Sequence, residues 1–332
     1  RLLEDLEILR SEKSLDFLNY FKYSKDSNSI FLKKKNTTIV KKIIIPKGLK
    51  VVLNAGETID LISSSSILSY SAININGEIG KMVKVTSSDS TGEGVHILQN
   101  KDSSNINYLD FSNQSSLYDT LKYNHQSLPS AFTVYGGKVT IENSDFKDLK
   151  SEDAVNLFRC KFKIENIKIE NTFSDAFDAD FCSGFMKNCS FTNCGNDGVD
   201  ISGGRLEISD SEFLNIKDKA ISAGEESKLK ASNCMIQNSS MGIISKDLSF
   251  VESIENKLLD CEIGYCAFQK KGEFGPAEIL STSDEITNCL LNNLIEYNSN
   301  LTFDGEKIRV FQNNVIDYLY GKKYGKATFK KN

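Results

Sequence analysis

One spacing constrains this chain more than any other property. The segments Asp153-Ala-Val-Asn-Leu-Phe, Asp175-Ala-Phe-Asp-Ala-Asp, Asp197-Gly-Val-Asp-Ile-Ser, Lys219-Ala-Ile-Ser-Ala-Gly, Met241-Gly-Ile-Ile-Ser-Lys and Ile263-Gly-Tyr-Cys-Ala-Phe begin 22 residues apart five times running. In each the second residue is small (Ala154, Ala176, Gly198, Ala220, Gly242, Gly264) and the third is large and apolar (Val155, Phe177, Val199, Ile221, Ile243, Tyr265). Alternation of this kind is the signature of a strand with one face in a core. A second cluster follows about a dozen residues on, where Ile169, Phe191 and Phe213 each stand two positions before Asn171, Asn193 and Asn215. Two short strands in 22 residues leave no room for a helix, and the spacing predicts an all-β parallel solenoid whose turns stack about 4.8 Å apart.

Looser copies at Phe132, Val139, Ile106, Ile73 and Val51 carry the pattern upstream. Residues 39–310 then supply roughly a dozen turns, a rod on the order of 55–60 Å long. Residues 1–38 form a helical cap and linker in this reading, because Leu2, Leu6, Leu9, Phe17, Leu18 and Phe21 recur at helical spacing and a solenoid end needs its strand edges covered. Residues 311–332 make a C-terminal cap and a basic tail rich in lysine from Lys322 to Lys331.

Composition removes several functions. With 40 Lys plus Arg against 45 Asp plus Glu there is no cationic field for nucleic acid. His96 and His125 are the only histidines, which argues against a catalytic zinc site and a histidine general base. No run approaches the roughly 18 apolar residues of a membrane-spanning helix. The chain opens Arg-Leu-Leu-Glu-Asp with neither Met nor a signal-peptide pattern, which suggests a mature product or an excised fragment of a longer protein. The eight Cys, Cys160 to Cys289, form no CxxC pair and read as buried thiols. Cys160 and Cys182 stand one repeat apart, so a disulfide between them is geometrically allowed, with free thiols the expectation. Asn36, Asn113, Asn188, Asn238 and Asn300 match the glycosylation sequon, a match that arises freely in an Asn-rich and Ser-rich chain.

This repeat resembles the right-handed parallel β-helix superfamily of pectate lyases, polygalacturonases and alginate or chondroitin lyases. The sharpest local likeness is to polygalacturonases, whose successive turns carry Asn-Thr-Asp, Asp-Asp, Gly-His-Gly and Arg-Ile-Lys. The corresponding turns here read Ser174-Asp175, Asn196-Asp197-Gly-Val-Asp200, Asp218-Lys219-Ala-Ile-Ser and Ile244-Ser-Lys246-Asp247, without the His and without the Arg. The stretch from Lys219 to Asp247 also resembles β-helix domains appended to large bacterial surface proteins. The resemblance implies a secreted or cell-surface protein whose partner is a polysaccharide or surface glycan.

A constant period lets columns be read directly. Asn156, Asp178, Asp200 and Ser222 form one column, Asp153, Asp175, Asp197 and Lys219 a second, and Phe158, Asp180, Ser202, Gly224 and Lys246 a third. Stacked carboxylates repel, so something must offset them. Three devices would do so: a Ca²⁺ held by Asp178, Asp180 and Asp200, a proton-sharing acid pair, or the ammonium of Lys219 or Lys246. The candidate catalytic residues are Asp175, Asp197, Asp200, Lys219 and Lys246, and the candidate substrate-binding residues are Arg159, Asp180, Glu225 and Asp247. Asp and Asn also serve solenoid turns through bonds to backbone N–H groups. The sequence therefore supports two functions: a β-helix that binds, and cleaves, a polysaccharide in an acidic groove, or a non-catalytic spacer, adhesin or tailspike-like module of a larger surface assembly.

Overall fold

The computed structural model describes residues 15–98, 102–116, 128–308 and 314–321. It is a parallel β-solenoid, and each regular turn carries three strands where the sequence pattern suggested two. One turn consists of Asp175–Asp180, Ser183–Lys187 and Ser190–Cys194, and the next of Val199–Ser202, Arg205–Ser209 and Glu212–Leu214. The middle strand escapes the periodic reading because its inward residues change in kind and size, from Phe162 and Ile164 to Gly184 and Met186, then Leu229 and Ala231.

The first-strand register follows the repeat. Val155 pairs with Phe177, and Phe177 with Val199, Ile221, Ile243 and Tyr265 in succession, all at most 1% exposed. Burying one such side chain contributes about 1.5–3 kcal/mol, so a column of six is a large part of the core. Phe191 stacks on Phe213 at 4.8 Å in the third-strand column. Two strands, Ser130–Glu142 and Asp153–Glu165, run unbroken around a corner and join the first and second faces into one sheet. Parallel stacking begins as far upstream as Ser29–Leu32, which pairs with Lys50–Asn54.

Each corner is made by left-handed backbone, one residue per turn at the second and third corners and one or two at the first. The second corner uses Asn143, Asn166, Asn188 and Asp210, and the third Asp148, Asn171, Asn193 and Asn215. Asn and Asp tolerate this conformation best after glycine. Their amides also bond from turn to turn, Asn188 to Asn166 at 2.7 Å and Asn193 to Asn171 at 3.0 Å. The sequon residue Asn188 is thus a rung of a corner ladder.

Most of the expected N-terminal helix falls on residues 1–14, outside the described residues, and the part that is described, Asp16–Asn19, is a single 3-10 turn. The α-helix lies at the other end, Val315–Tyr320. All eight cysteines are free, and all but Cys289 are buried. Cys160 and Cys182 stack with the Cys160 N–H donating to the Cys182 Sγ at 3.2 Å. Burial pushes the thiol of Cys189 up to about 11 and those of Cys194, Cys234 and Cys261 to about 12.

Candidate functional site

The outward side of the first strands is covered at both ends and open in the middle. Toward the C-terminus, Val315 and Leu319 of the helix pack on Met241, Ile244, Ile263, Cys266, Phe268 and Leu294. Toward the N-terminus, Ile44, Leu68, Tyr70 and Leu98 cluster beneath Leu128 and Tyr135. Between the two covers lie the acidic turns. Asn156, Asp178 and Asp200 are register partners there and are half-buried.

The carboxylates divide by what occupies them. Asp175 accepts the Asp197 N–H at 2.9 Å and the Asn196 amide at 2.5 Å. Asp197 in turn accepts the Lys219 N–H at 3.1 Å and its Nζ at 3.1 Å, and Lys219 also meets Asp218 at 2.5 Å. Burial alone would lower the Lys219 ammonium, but the carboxylates of Asp197 and Asp218 hold it well above its ordinary value. Asp175, Asp197 and Lys219, expected as catalytic groups, are therefore committed to holding one turn on the next.

The groove proper is formed by Asp178, Asp180, Asp200 and Lys246. The Lys246 Nζ lies 3.2 Å from both oxygens of Asp200, although the two residues are two turns apart. Gly224 in the intervening turn makes this reach available, since a Cβ there would come within 2.6 Å of the Lys246 Cε. Lys246 is 4% exposed, and the carboxylate of Asp200 is the partner of its buried charge. Burial would raise Asp200, but the ammonium groups of Lys246 and Lys219 hold it below the ordinary carboxylate range. Asp178, one turn away, behaves oppositely: burial pushes it well above that range, reinforced by the charges of Asp153, Asp200 and Asp180. Asn156 donates to Asp178 at 2.7 Å and to Asp153 at 3.2 Å. Burial and the neighbouring Asp175 push Asp153 up to about 8, and Asp180 is also raised, first by burial and then by Asp200. Of the three devices that relieve stacked charge, an ammonium serves Asp200 and a retained proton serves Asp153.

A calcium site at Asp178, Asp180 and Asp200 does not fit this arrangement. Among the described residues no three acidic, His or Cys side chains converge as a metal site, and the Asp200 oxygens are taken by Lys246.

The remaining candidates lie along the first corner, whose left-handed column is Arg159, Phe181, Gly203, Glu225 and Asp247. Glu225 accepts from Ser202 and pairs with Lys271, and these bonds hold its carboxyl down against the effect of burial. Asp247, expected on the binding surface, is fully buried and accepts the N–H groups of Lys270 and Lys271 at 2.6 Å each. Arg159 is exposed, with its guanidinium carbon 5.3 Å from the Phe158 ring centre and 5.9 Å from that of Phe181.

Two contributors come from outside the repeat. Lys270 and Lys271 belong to an insertion between Phe268 and Glu278 that lengthens this turn to 28 residues (291−263), and that break in period is its only trace in the sequence. Tyr320 comes from the terminal helix: its ring lies 5.1 Å from the Lys270 Nζ, and its buried hydroxyl has no hydrogen-bond partner among the described residues. His96 is fully buried, bonded to Thr133 at 2.9 Å and to the Glu93 carbonyl at 2.8 Å, and burial pushes its imidazole down to about 4. His125 lies outside the described residues.

Residues 153–323 match a family model described as a right-handed β-helix region. No curated protein sequence matches the chain. Among solved structures it is similar to a mutant of a periplasmic alginate epimerase, at 10% identity over 84% of this chain and 78% of that one with a TM-score of 0.44. It is also similar to the catalytic domain of an α-1,3-glucanase in complex with tetrasaccharides (12% identity, 78% and 66% covered, TM-score 0.34). A third likeness is to the tailspike of an Acinetobacter phage (8% identity, 86% and 59% covered, TM-score 0.35).

Proposed function

The chain belongs to the right-handed β-helix family, and from that premise we propose that it binds a polysaccharide outside the cell and processes it in the groove between the two covers. The observation that carries this reading is the opposite titration of two stacked carboxyls. Burial pushes Asp178 well above the ordinary carboxylate range, while Lys246, 3.2 Å from both Asp200 oxygens, holds Asp200 below it. Groups whose surroundings push their pKa values apart in this way are suited to act as acid and base on one substrate.

In this reading Asp200 takes a proton from the sugar or from an attacking water, and Asp178 delivers one to the departing or re-forming oxygen. Lys246 keeps Asp200 ionised, and Asp180 stands in the turn of Asp178, where it accepts sugar hydroxyls. Strand spacing sets the Asp178 and Asp200 backbones about 5 Å apart, so one sugar residue meets both side chains. Asp153 and Asp178 share the Asn156 amide, which donates to both.

Incubating the purified chain with uronic-acid and neutral polysaccharides, and following new reducing ends and unsaturated products, tests the proposal. Asp178→Asn and Asp200→Asn are each expected to lower turnover about 10²- to 10⁴-fold while the fold is kept. Turnover that survives both changes would remove the acid–base pair. A wild type that neither binds nor alters any glycan in the set would favour the spacer or adhesin role.

A further inference from the structure

The acid–base pair makes no use of Lys219, although two carboxyls meet its buried ammonium. The Nζ stands 3.1 Å and 3.3 Å from the two oxygens of Asp197, facing the carboxyl carbon between them, and 2.5 Å from Asp218. Lys219 and Asp197 are buried, whereas 17% of the Asp218 side chain stays exposed and gives a proton or a water a way out. Lys246 offers the contrast. Its Nζ lies as close to both oxygens of Asp200, yet no second carboxylate touches it among the described residues. One carboxylate is enough for an ion pair, and the second one at Lys219 is available for other work.

Joining an amine to a carboxyl requires three things besides contact: a base for the ammonium proton, a donor for the charge that gathers on the attacked oxygen, and little water to reverse the step. The site holds all three. Asp218 touches the ammonium directly. The Lys219 backbone N–H donates to the Asp197 Oδ1 at 3.1 Å. Past Lys219 its column is apolar, running through its register partner Met241 to Ile263 in the cluster under the terminal helix. Burial also pushes the Asp197 carboxyl up against the pull of Lys219, toward the neutral form that an amine attacks. The competing backbone nitrogen, that of Gly198, is engaged with the Lys219 carbonyl at 2.8 Å.

We propose that Lys219 and Asp197 condense into an isopeptide bond between Nζ and Cγ, with Asp218 taking the proton that frees the amine, so that two successive turns become covalently joined. Of the three ammonium protons, one passes to Asp218 and one stays on the amide nitrogen. The third leaves with the Asp197 hydroxyl as water when the C–O bond breaks. The step balances without an oxidant or a second substrate, and a buried ion pair gives way to a neutral amide. It stands apart from the groove reading, because neither Asp178 nor Asp200 takes part.

Intact-mass spectrometry of the full purified chain under reductant tests the bond, whose formation removes one water, about 18 Da. The wild type is expected to fall short of its sequence mass by that amount, and its digest to contain the peptides of Asp197 and Lys219 joined. Lys219→Arg keeps a cation without an amine that can be acylated, and Asp218→Asn removes the base, so both are expected at full mass. A wild type at full mass overturns the proposal even where a variant fails to fold. Mass loss that persists in Lys219→Arg overturns it as well. So does a loss of water confined to Asp197-Gly198 with the two peptides unjoined, which is the mark of a succinimide. A joined pair in Asp218→Asn would overturn the part given to Asp218.

Discussion

A single outward column of the solenoid has two characters. At Asn156, Asp178 and Asp200 it is polar and half-open, whereas at Ile244, Cys266 and Leu294 it is apolar and sealed by the terminal helix. The backbone position in the repeat is the same, so strand geometry is not the cause. What differs is the segment that lies across the strand. The repeat decides where a side chain points, and the chain outside the repeat decides whether it meets water.

The largest expected effect comes from imposing the open chemistry on the sealed end. Ile244→Asp places a carboxylate beneath Val315 and Leu319 with no cation to meet it, and should cost about 4 kcal/mol or more in urea unfolding. A cost under about 1 kcal/mol would mean that the helix does not seal the column.

Next is the converse change in the middle. Lys246→Met removes the only ammonium that touches Asp200 among the described residues and should cost roughly 3 kcal/mol near neutral pH, because a carboxylate whose side chain is 20% exposed is left without its partner. The loss should shrink as pH falls and Asp200 takes up a proton. In the wild type the lowered Asp200 contributes stability above its unfolded value and gives it up as pH falls through its folded one. Equal losses at pH 7 and pH 3 would contradict the pairing.

A smaller effect separates retained protons from paired charge. The folded chain holds a proton on Asp153 up to about pH 8, while the unfolded chain releases it near 3.8. The contribution of Asp153 is thus fullest below its unfolded value and is lost as pH rises toward 8. His96 works in the other direction, losing stability as pH falls from 6.5 toward about 4, so only the difference between chains isolates Asp153. Asp153→Asn should gain on the wild type steadily between pH 5 and pH 8, by no more than about 1.4 kcal/mol per pH unit, read from paired melting curves. A constant difference would place the carboxylate in an ordinary environment. The smallest effect is that of calcium: exchanging millimolar Ca²⁺ for EDTA should move the melting temperature by less than about 1 °C. A clear rise would show Asp178, Asp180 and Asp200 regrouping as ligands.

The fold was written plainly in the chain, because Val155, Phe177, Val199 and Ile221 repeat both in spacing and in kind, and a stacked core needs nothing more. The columns of the groove could be read for the same reason. The pairing within it could not, since Lys246 skips a turn to reach Asp200 and only the absence of a side chain at Gly224 permits it. Asp247 looked like a rim charge because its burial depends on the inserted loop carrying Lys270 and Lys271. Tyr320 has no repeat to announce it. Arg159 was visible as a charge beside a column, while the two rings it lies against, Phe158 and Phe181, come together only in the fold.

The lysine that skips a turn also bears on how the chain finds its register. Neighbouring turns of a solenoid resemble one another, and a ladder displaced by one whole repeat still buries apolar side chains on apolar side chains. Such a slip would set Lys246 two rungs from Asp178 in place of Asp200, leaving the Asp200 carboxylate without its counterion. The contact spans 46 residues and is absent until three successive turns are in place, so it acts as a checksum on the assembly, closing only when the count of turns beneath it is right.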